Sequence, residues 1–187
     1  PYVYSDIKTI ADHSHRSAHG GARVYLSDAF PASERGKIFM ANIHEHGILS
    51  DILEPKGSGM VGKHGDDFMM ANNAQWVGFS MEIGPEGGMY VLDWHDADIC
   101  GSDVLKSETG RIFRIMPKEN QAKNWEGRYG DLNSMSDETL VDLQLSKSEW
   151  HARRARIVLQ NRASKGKLSK KAQEILFKIY QHDANAD

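Results

Sequence analysis

Short runs of apolar residues, separated by polar and glycine-rich turns, fill the chain from residue 1 to residue 116. In GFSMEI (78–83), for example, Phe79, Met81 and Ile83 alternate with small or polar neighbours. This period of two is typical of a strand with one buried face. The same pattern, read with the Gly and Pro residues between the runs, predicts seven strands. They are 22–26, 37–43, 47–53, 60–68, 77–83, 88–94 and 110–116.

The predicted strands fall into two groups with the same order of parts. Each group runs strand, turn, strand, His- and Asp-rich loop, strand, and the two loops are HEH (44–46) and HDADICGSD (95–103). A repeated antiparallel meander of about four strands, at a spacing of roughly 40–50 residues, is typical of β-propeller blades. We therefore expect a mainly β fold with some α-helix, in which residues 1–116 form the last blades of a β-propeller.

Helical spacing replaces the strand pattern in the last quarter of the chain. Ser136 and Ser169 are placed to cap helices at their N-termini, and a further helix is predicted to start at about Ser148. Short amphipathic helices in succession indicate the start of a helical repeat, which we assign to 136–187. The polar segment 117–135 is then expected to be a linker between the two parts.

Composition excludes several classes of protein. A net charge of −3 on 187 residues gives no general attraction to nucleic acid or to a membrane surface. The single cysteine, Cys100, excludes an internal disulfide framework and a CxxCH haem attachment site in this chain. No apolar run approaches the ~18 residues of a membrane span. Because the chain starts at Pro1 and carries no targeting sequence, we expect it to be an internal fragment of a longer protein.

Histidines are concentrated in the loops predicted for one end of the sheets. Successive turns of an antiparallel meander alternate between the two ends of a sheet, so the turns at 27–36, 54–59 and 84–88 share one end, and they contain no His. Seven of the nine histidines lie in or beside segments assigned to the opposite end: His13, His15, His19, His44, His46, His64 and His95. Propellers bind ligands where such loops converge, so we expect a functional site at that end.

Several long motifs resemble those of one protein family. They are AHGGARVYLSDAFP (18–31), GKIFMANIHEHGILSDIL (36–53), the stretch 57–101 from GSGMVGKHGDDF to DWHDADICG, and DLNSMSDETL onward (131–163). Their order resembles that of the membrane-bound-dehydrogenase-like propellers of planctomycetes and their relatives. Those proteins are distantly similar to sorbosone dehydrogenases and to soluble quinoprotein sugar dehydrogenases.

The resemblance implies both an architecture and an activity. In that family the propeller is followed by HEAT-like helical repeats and then by a c-type cytochrome domain. The chain would be part of a protein that oxidises a sugar or an alcohol and passes electrons to a haem domain outside this chain. The resemblance also implies a periplasmic or secreted location. The partners would be the rest of the parent polypeptide or other protein chains, with a carbohydrate ligand and no nucleic acid.

Oxidation of a hydroxyl group needs a general base beside it, and an imidazole with a pKa near neutrality suits that role. The candidate catalytic residues are His19, His44, His46, His95 and Asp93. Asp93 or Asp96 would orient one of the imidazoles through a hydrogen bond.

A bound divalent cation, calcium or another, is a further hypothesis. Asp96-x-Asp98 followed by Gly101 partly resembles a calcium loop, although Ser107 stands where such a loop needs an acid. A transition metal held by His44, His46 and His95 is the alternative. The candidate metal ligands are Asp96, Asp98, His64 and Asp67.

Pyrroloquinoline quinone (PQQ) is held in quinoprotein sugar dehydrogenases by basic side chains near the strand that here corresponds to 71–88. That stretch contains no Arg or Lys, which argues against PQQ binding by these blades. The second hypothesis is therefore a non-catalytic propeller and HEAT-like module that binds a glycan or a protein partner. Trp94, at the end of a predicted strand, then serves either as a core residue or as a platform for a sugar ring.

Overall fold

The computed structural model describes residues 18–96 and 108–182, together with the backbone of residues 11–12. Within these ranges eight strands form two sheets, and three α-helices follow them. The strands are β1 (Ala11–Asp12), β2 (His19–Val24), β3 (Ile38–Asn42), β4 (Gly47–Lys56), β5 (Gly59–Met70), β6 (Gly78–Ile83), β7 (Met89–Asp93) and β8 (Arg111–Ile115). The protein is therefore a mixed α/β structure built on antiparallel sheets.

Apart from β1, the strands of both sheets form meanders that follow chain order. The first sheet has the order β1-β5-β4-β3-β2, in which β1 runs parallel to β5 and every other pair is antiparallel. The second sheet has the order β6-β7-β8 and is antiparallel throughout. Each of the seven strands predicted from alternation is present, with ends that differ by a few residues. The turn predicted at 54–59 is shorter than expected, because β4 and β5 extend until only residues 57–58 join them.

The two sheets pack through their first strands, β2 and β6, which run side by side. Glycine permits this approach, because a Cβ at Gly20 would lie 2.8 Å from the Phe79 carbonyl oxygen. The shared core contains aromatic and aliphatic side chains from both sheets, and three of its aromatic rings meet edge to face. Its fully or nearly fully buried members are Tyr25, Ala29, Phe30, Phe39, Ala41, Ile48, Trp76, Met81, Met89 and Val91.

The helices are α1 (Asp137–Asp142), α2 (Glu149–Ser164) and α3 (Lys170–His182). The predicted caps are confirmed, since Ser136 Oγ accepts from the Thr139 N–H at 3.1 Å and Ser169 Oγ accepts from the Ala172 N–H at 3.1 Å. A second apolar cluster, which includes Leu140, joins the three helices. No helix in the described part of the chain is long and apolar enough to cross a membrane.

Asp137 ties the three helices together. Its Oδ1 accepts from Arg162 of α2 at 2.6 Å, and its Oδ2 accepts from the backbone N–H of Ser169, the cap of α3, at 2.7 Å. These bonds hold the pKa of Asp137 below its ordinary value, the Ser169 N–H first and the Arg162 guanidinium second. One carboxylate at the start of α1 therefore fixes the end of α2 and the start of α3.

Arg128 joins the sheets to the helices. It lies in the segment 117–135 that the sequence indicated as a linker, yet its side chain is only 2% exposed. Its guanidinium forks onto Asp28 at 2.8 and 3.0 Å, and it also donates to the carbonyl oxygens of Pro85 and Lys123. The segment is therefore packed into the structure, and the two halves of the chain are connected by a buried ion pair.

His151, in the first turn of α2, extends this junction. Its Nε2 lies 2.8 Å from the Arg128 carbonyl oxygen, which only accepts, so Nε2 carries the proton. Its Nδ1 then accepts from the Ser148 hydroxyl at 2.8 Å. Burial lowers the pKa of His151, and this effect outweighs its hydrogen bond to the Arg128 backbone. The imidazole is therefore neutral in the folded protein.

Substitution of Gly20 by Ala tests the contact between the two sheets. The new Cβ would lie 2.8 Å from a backbone oxygen that cannot move independently of β6, so we expect a loss of about 1–3 kcal/mol in the free energy of unfolding. Gly59→Ala is the matched control, because its Cβ would meet only the Lys56 carbonyl oxygen at 3.9 Å. Urea denaturation of both variants measures the difference. Equal stability of the two variants would show that β2 and β6 do not approach this closely.

The neutral state of His151 predicts a loss of stability in acid. Its pKa is lower in the folded than in the unfolded protein, so below about pH 6.5 the unfolded chain binds the additional proton. Unfolding should then become easier by at most about 1.4 kcal/mol per pH unit until the folded-state pKa is reached. Urea denaturation from about pH 7 to about pH 5 measures this slope. His151→Gln should reduce it, whereas His182→Gln, at an exposed position, should leave it unchanged.

Candidate functional site

The four predicted catalytic histidines all lie at one end of the two sheets, which we call the histidine end. They are His19, His44, His46 and His95. In the first sheet, His19 at the start of β2 pairs with Asn42 at the end of β3, and the loop 43–46 leads into β4. In the second sheet, the equivalent positions are Gly78 and Asp93. Because β2 and β6 lie side by side, these loops occupy the same end of the molecule. We define the histidine end as His19, 42–46, 71–77, 93–96 and 108–111.

Asn42 organises the loop of the first sheet. Its Oδ1 accepts from the backbone N–H groups of His44 and Glu45, each at 3.1 Å, which fixes the orientation of the amide. Its Nδ2 then donates to Glu45 Oε2 at 2.9 Å and faces His19 Nε2 at 3.4 Å. Asn42 Nδ2 can only donate, so this contact orients the exposed imidazole of His19 with Nε2 toward Asn42.

His46 links this loop to the second sheet. Its Nδ1 lies 2.7 Å from the Trp76 carbonyl oxygen, so the imidazole donates and is held against the segment that enters β6. His44, in contrast, is exposed to solvent. Of the two histidines in HEH, one therefore has a structural hydrogen bond and the other is accessible.

Asp93 organises the loop of the second sheet in the same way. Its side chain is buried, and its Oδ1 accepts from the backbone N–H groups of Val77 at 2.7 Å and His95 at 2.9 Å. Its Oδ2 accepts from Arg111 Nε at 2.8 Å and Nη2 at 2.5 Å. Asp93 was predicted to be catalytic and to orient an imidazole. In the structure it accepts from the backbone N–H of His95 and not from an imidazole. It is a positioning residue.

Asn42 and Asp93 hold the same place in the two sheets, as the last residue of the second strand of each meander. The sequence comparison of the two halves missed this correspondence, because it aligned the histidines of the loops and not the polar residues before them. It also missed Arg111, the cross-strand neighbour of Asp93. The signal was present: an Asp that ends one strand and an Arg that begins the next are opposite each other in an antiparallel pair.

Backbone strain is concentrated at the histidine end. The non-glycine residues with left-handed backbone in the described ranges are His46 (φ 56°), Asn72 (φ 51°) and His95 (φ 51°), and all three lie there. Both first strands also have irregular pairing near this end, between Gly20 and Arg23 in β2 and between Gly78 and Ser80 in β6. Such strain and bulges are over-represented at functional sites, where the surrounding structure holds them in place.

His95 combines strain with an unsatisfied polar atom. Its Nδ1 is buried and makes no hydrogen bond with any atom of the described residues. Its backbone is held on both sides, by Asp93 at the N–H and by Thr109 Oγ1 at the carbonyl oxygen at 3.3 Å. A buried nitrogen without a partner among the described residues is uncommon, and such atoms occur at catalytic groups and beside bound water molecules.

Trp94 and Asp96 flank His95. Trp94 is half exposed, so the interpretation of Trp94 as a core residue is not supported. Its ring centroid lies 6.2 Å from that of the exposed Phe79. Its Nε1 donates to Asp96 Oδ2 at 3.3 Å, and Asp96 is buried. The indole is therefore held in position by a carboxylate while part of its surface faces solvent.

His64 lies elsewhere. It is inside β5, paired with Asp51, and the register places that pair level with Ile38, at the opposite end of β3 from Asn42. The assignment of His64 to the histidine end is therefore corrected: β5 runs on to Met70, which pairs with Gly47, so His64 lies in the middle of the strand. Its ring lies 3.3 Å from Asp51 Oδ1 and 3.4 Å from Asp67 Oδ1.

Of the four predicted metal ligands, the described residues bring together only His64 and Asp67. His64 and Asp67 belong to the first sheet, Asp96 follows the last strand residue of β7 in the second, and Asp98 lies outside the described residues, as do Cys100, His13 and His15. Within 18–96 and 108–182, no group of three or more His, Cys, Asp or Glu side chains is arranged to hold a metal ion. The arginine at this end, Arg111, is already engaged by Asp93. The predicted calcium loop beyond Asp96, residues 97–107, lies outside the described residues.

The Asp93–Arg111 pair should contribute far more to stability than an exposed ion pair. Asp93→Ala removes a buried carboxylate with four hydrogen bonds, and we expect a loss of about 3–5 kcal/mol in the free energy of unfolding. The matched control is Glu82→Ala, which breaks the exposed pair between Arg23 and Glu82 and should cost less than about 1 kcal/mol. Chemical denaturation compares the two. A similar cost for both variants would contradict the structural role of Asp93.

Comparison with known proteins gives a family assignment. No curated protein and no solved structure matches the chain. Residues 2–121 match a family described as a domain of unknown function, DUF7133. The matched range contains all the described strands and ends before the helices, and it covers more than half of the 187 residues. The chain therefore belongs to the DUF7133 family.

Proposed function

We propose that the histidine end forms part of the substrate face of a larger dehydrogenase-like protein that oxidises a sugar or an alcohol. The two sheets are its last propeller blades, and the helices begin a HEAT-like repeat. Electrons pass to a haem domain outside this chain. The observation that carries the proposal is His95, whose buried Nδ1 has no partner among the described residues and whose backbone is held in a left-handed conformation.

The packing of the two sheets supports the propeller architecture. Consecutive meanders contact each other through their first strands, with a shared core between them, as neighbouring blades do. The opposite face of the second sheet is apolar and exposed: Phe79, Leu92, Trp94 and Ile112 are each about half exposed or more, and Ile112 reaches 71%. A contiguous apolar face of this kind indicates that another part of the protein covers it. A further blade of the parent polypeptide fits that position.

His95 is the residue best placed to act as general base. Oxidation of a hydroxyl group removes its proton to a base while a hydride leaves the adjacent carbon for an acceptor. An imidazole can accept that proton, and the hydrogen bonds to the His95 backbone fix the orientation of the residue. In this proposal the acceptor is held by the rest of the parent polypeptide.

His19 and His44 contribute to recognition of the substrate in this proposal. Both are exposed at the histidine end, and His19 is oriented by Asn42. Imidazole nitrogens both donate and accept hydrogen bonds, which suits a ligand with several hydroxyl groups. A periplasmic or secreted location goes with this proposal, because the resembling family acts there.

A non-catalytic module that binds a glycan is the second candidate. The observation that favours it is the exposed pair Phe79 and Trp94, whose rings lie 6.2 Å apart with Trp94 anchored by Asp96. Aromatic faces held in this way can contact the apolar face of a sugar ring. The first candidate requires His95 for turnover. The second requires only the aromatic pair, for binding.

The decisive experiment compares His95→Asn with His182→Asn in the parent polypeptide. Asn tolerates a left-handed backbone, so His95→Asn should fold while losing the imidazole. We expect reduction of an artificial dye with a sugar or alcohol substrate to fall about 10²–10⁴-fold in kcat, with a smaller change in KM. His182→Asn, in the last turn of α3, should retain full activity.

Two outcomes would contradict the proposal. Unchanged kcat in a folded His95→Asn variant would exclude His95 as the base. Absence of dye reduction by the unsubstituted parent with any sugar or alcohol, with or without PQQ and calcium, would exclude the dehydrogenase. In that second case, sugar binding that is lost in Trp94→Ala would support the glycan-binding candidate.

A further inference from the structure

A cleft of about 450 Å³ lies at the junction between the first sheet and the helices. We call it the junction cleft. It is formed by the segment after β2, by residues 121–125 and by the residues before α2. These elements follow the far ends of the strands, so the cleft is remote from the histidine end. Its volume is within the range of small-molecule sites. Its principal wall residues are Asp28, Phe30, Arg35, Lys123, Trp125 and Lys147.

The cleft has an excess of positive charge. Asp28 is neutralised by the fork of Arg128, which holds the pKa of Asp28 below its ordinary value although burial alone would raise it. Arg35, Lys123 and Lys147 form no ion pair with any described residue. Three cations therefore line one cleft without a carboxylate to balance them.

Arg35 is held in place for recognition of an anion. Its Nη1 donates to the carbonyl oxygens of Ser27 at 3.2 Å and Lys147 at 2.7 Å, which fixes the guanidinium plane between two parts of the chain. Its Nε and Nη2 make no hydrogen bond with the described residues. These two nitrogens form one edge of the guanidinium fork, and that edge matches two oxygens of a carboxylate or phosphate.

An aromatic wall accompanies the charges. Trp125 is partly exposed in the cleft and is supported from behind by His151, with ring centroids 5.2 Å apart. Phe30 is buried and belongs to the core under the same wall. A planar ring can therefore lie against Trp125 while an acidic group attached to it reaches Arg35.

A second cleft in the same molecule shows the contrast. It lies along β2 and α2, has a volume of about 240 Å³ and contains three arginines. Arg23 pairs with Glu82, Arg153 pairs with Glu149, and Arg154 lies over the Trp150 ring at 4.1 Å. Every cation in that cleft has a partner within the protein. In the junction cleft, by contrast, Arg35, Lys123 and Lys147 form no ion pair with any described residue.

We propose that the junction cleft binds a small organic anion, in which a carboxylate or phosphate pairs with Arg35, Lys123 and Lys147 and a ring contacts Trp125. The site is separate from the histidine end, and the proposal does not rest on the proposed oxidation. Bound across the junction, the anion contacts both the sheet part and the helical part, so it stabilises their relative position by binding only to the folded protein.

Saturation-transfer NMR on the parent polypeptide tests the site with three probes of similar shape: phenyl phosphate, benzoate and the neutral benzamide. We expect saturable binding of the two anions and much weaker binding of benzamide. Arg35→Lys keeps the charge and loses the fork, and it should weaken binding of the anions about tenfold. Lys147→Gln and Lys123→Gln should each weaken it up to about fivefold, more at low salt than at high salt.

Arg153→Gln is the matched control, since Arg153 is an exposed arginine of the other cleft and should leave binding unchanged. The exposed lysines test the proposal even if Arg35→Lys fails to fold. Three results would overturn it: no saturable signal from either anion, equal binding of benzamide, or unchanged affinity in the Lys123→Gln, Lys147→Gln double variant. A difference between phenyl phosphate and benzoate would identify which acidic group the site prefers.

Discussion

The buried fork between Arg128 and Asp28 sets the relationship between the sheets and the helices. A guanidinium this deeply buried is stable only when its donors are paired, and Arg128 pairs with Asp28, Pro85 and Lys123 together. The hydrogen bond to Asp28 raises the pKa of Arg128, so the pair stays charged. Because the bonded groups come from separate segments, the fork can form in only one arrangement of those segments. The shape of the junction cleft is a consequence of that arrangement.

At the histidine end, a polar residue that ends a strand holds the adjacent loop, and this arrangement occurs once in each sheet. Asn42 and Asp93 each end a second strand and accept hydrogen bonds from backbone N–H groups: Asn42 from two in the loop that follows, and Asp93 from one in the loop that follows and from Val77 before β6. Capture of those groups turns the chain sharply, and a left-handed histidine follows in both loops, His46 in one and His95 in the other. The difference between the two loops lies in the imidazoles. His46 is bonded to Trp76, whereas Nδ1 of His95 has no partner among the described residues, which separates a structural copy of the loop from the proposed functional one.

Local patterns predicted the elements well, and long-range pairs escaped them. Alternation located β6, and the caps at Ser136 and Ser169 located α1 and α3, because each depends on neighbours in the chain. Arg128 stood in a polar segment that looked like a linker, and its partner is 100 residues away, so no periodicity could reveal it. His64 was misplaced because β5 continues to Met70, so the end of that strand that reaches the histidine end lies well beyond His64. The histidine end itself followed from strand order alone, which is a topological property that the sequence does encode.

Strain at one end of this protein depends on rigidity at the other. A left-handed His95 with an unsatisfied Nδ1 is unfavourable by itself, and it persists only if the alternatives are blocked. Asp93 restricts the His95 backbone through a hydrogen bond to its N–H. The position of Asp93 depends on β7, which begins directly after the turn that contains Pro85. Arg128 holds that turn through the Pro85 carbonyl oxygen. Tyr25 holds it again by donating to the Gly87 carbonyl oxygen at 2.9 Å. The junction and the histidine end are therefore opposite ends of the same strand pair, and loosening the first should relax the second before it unfolds the protein.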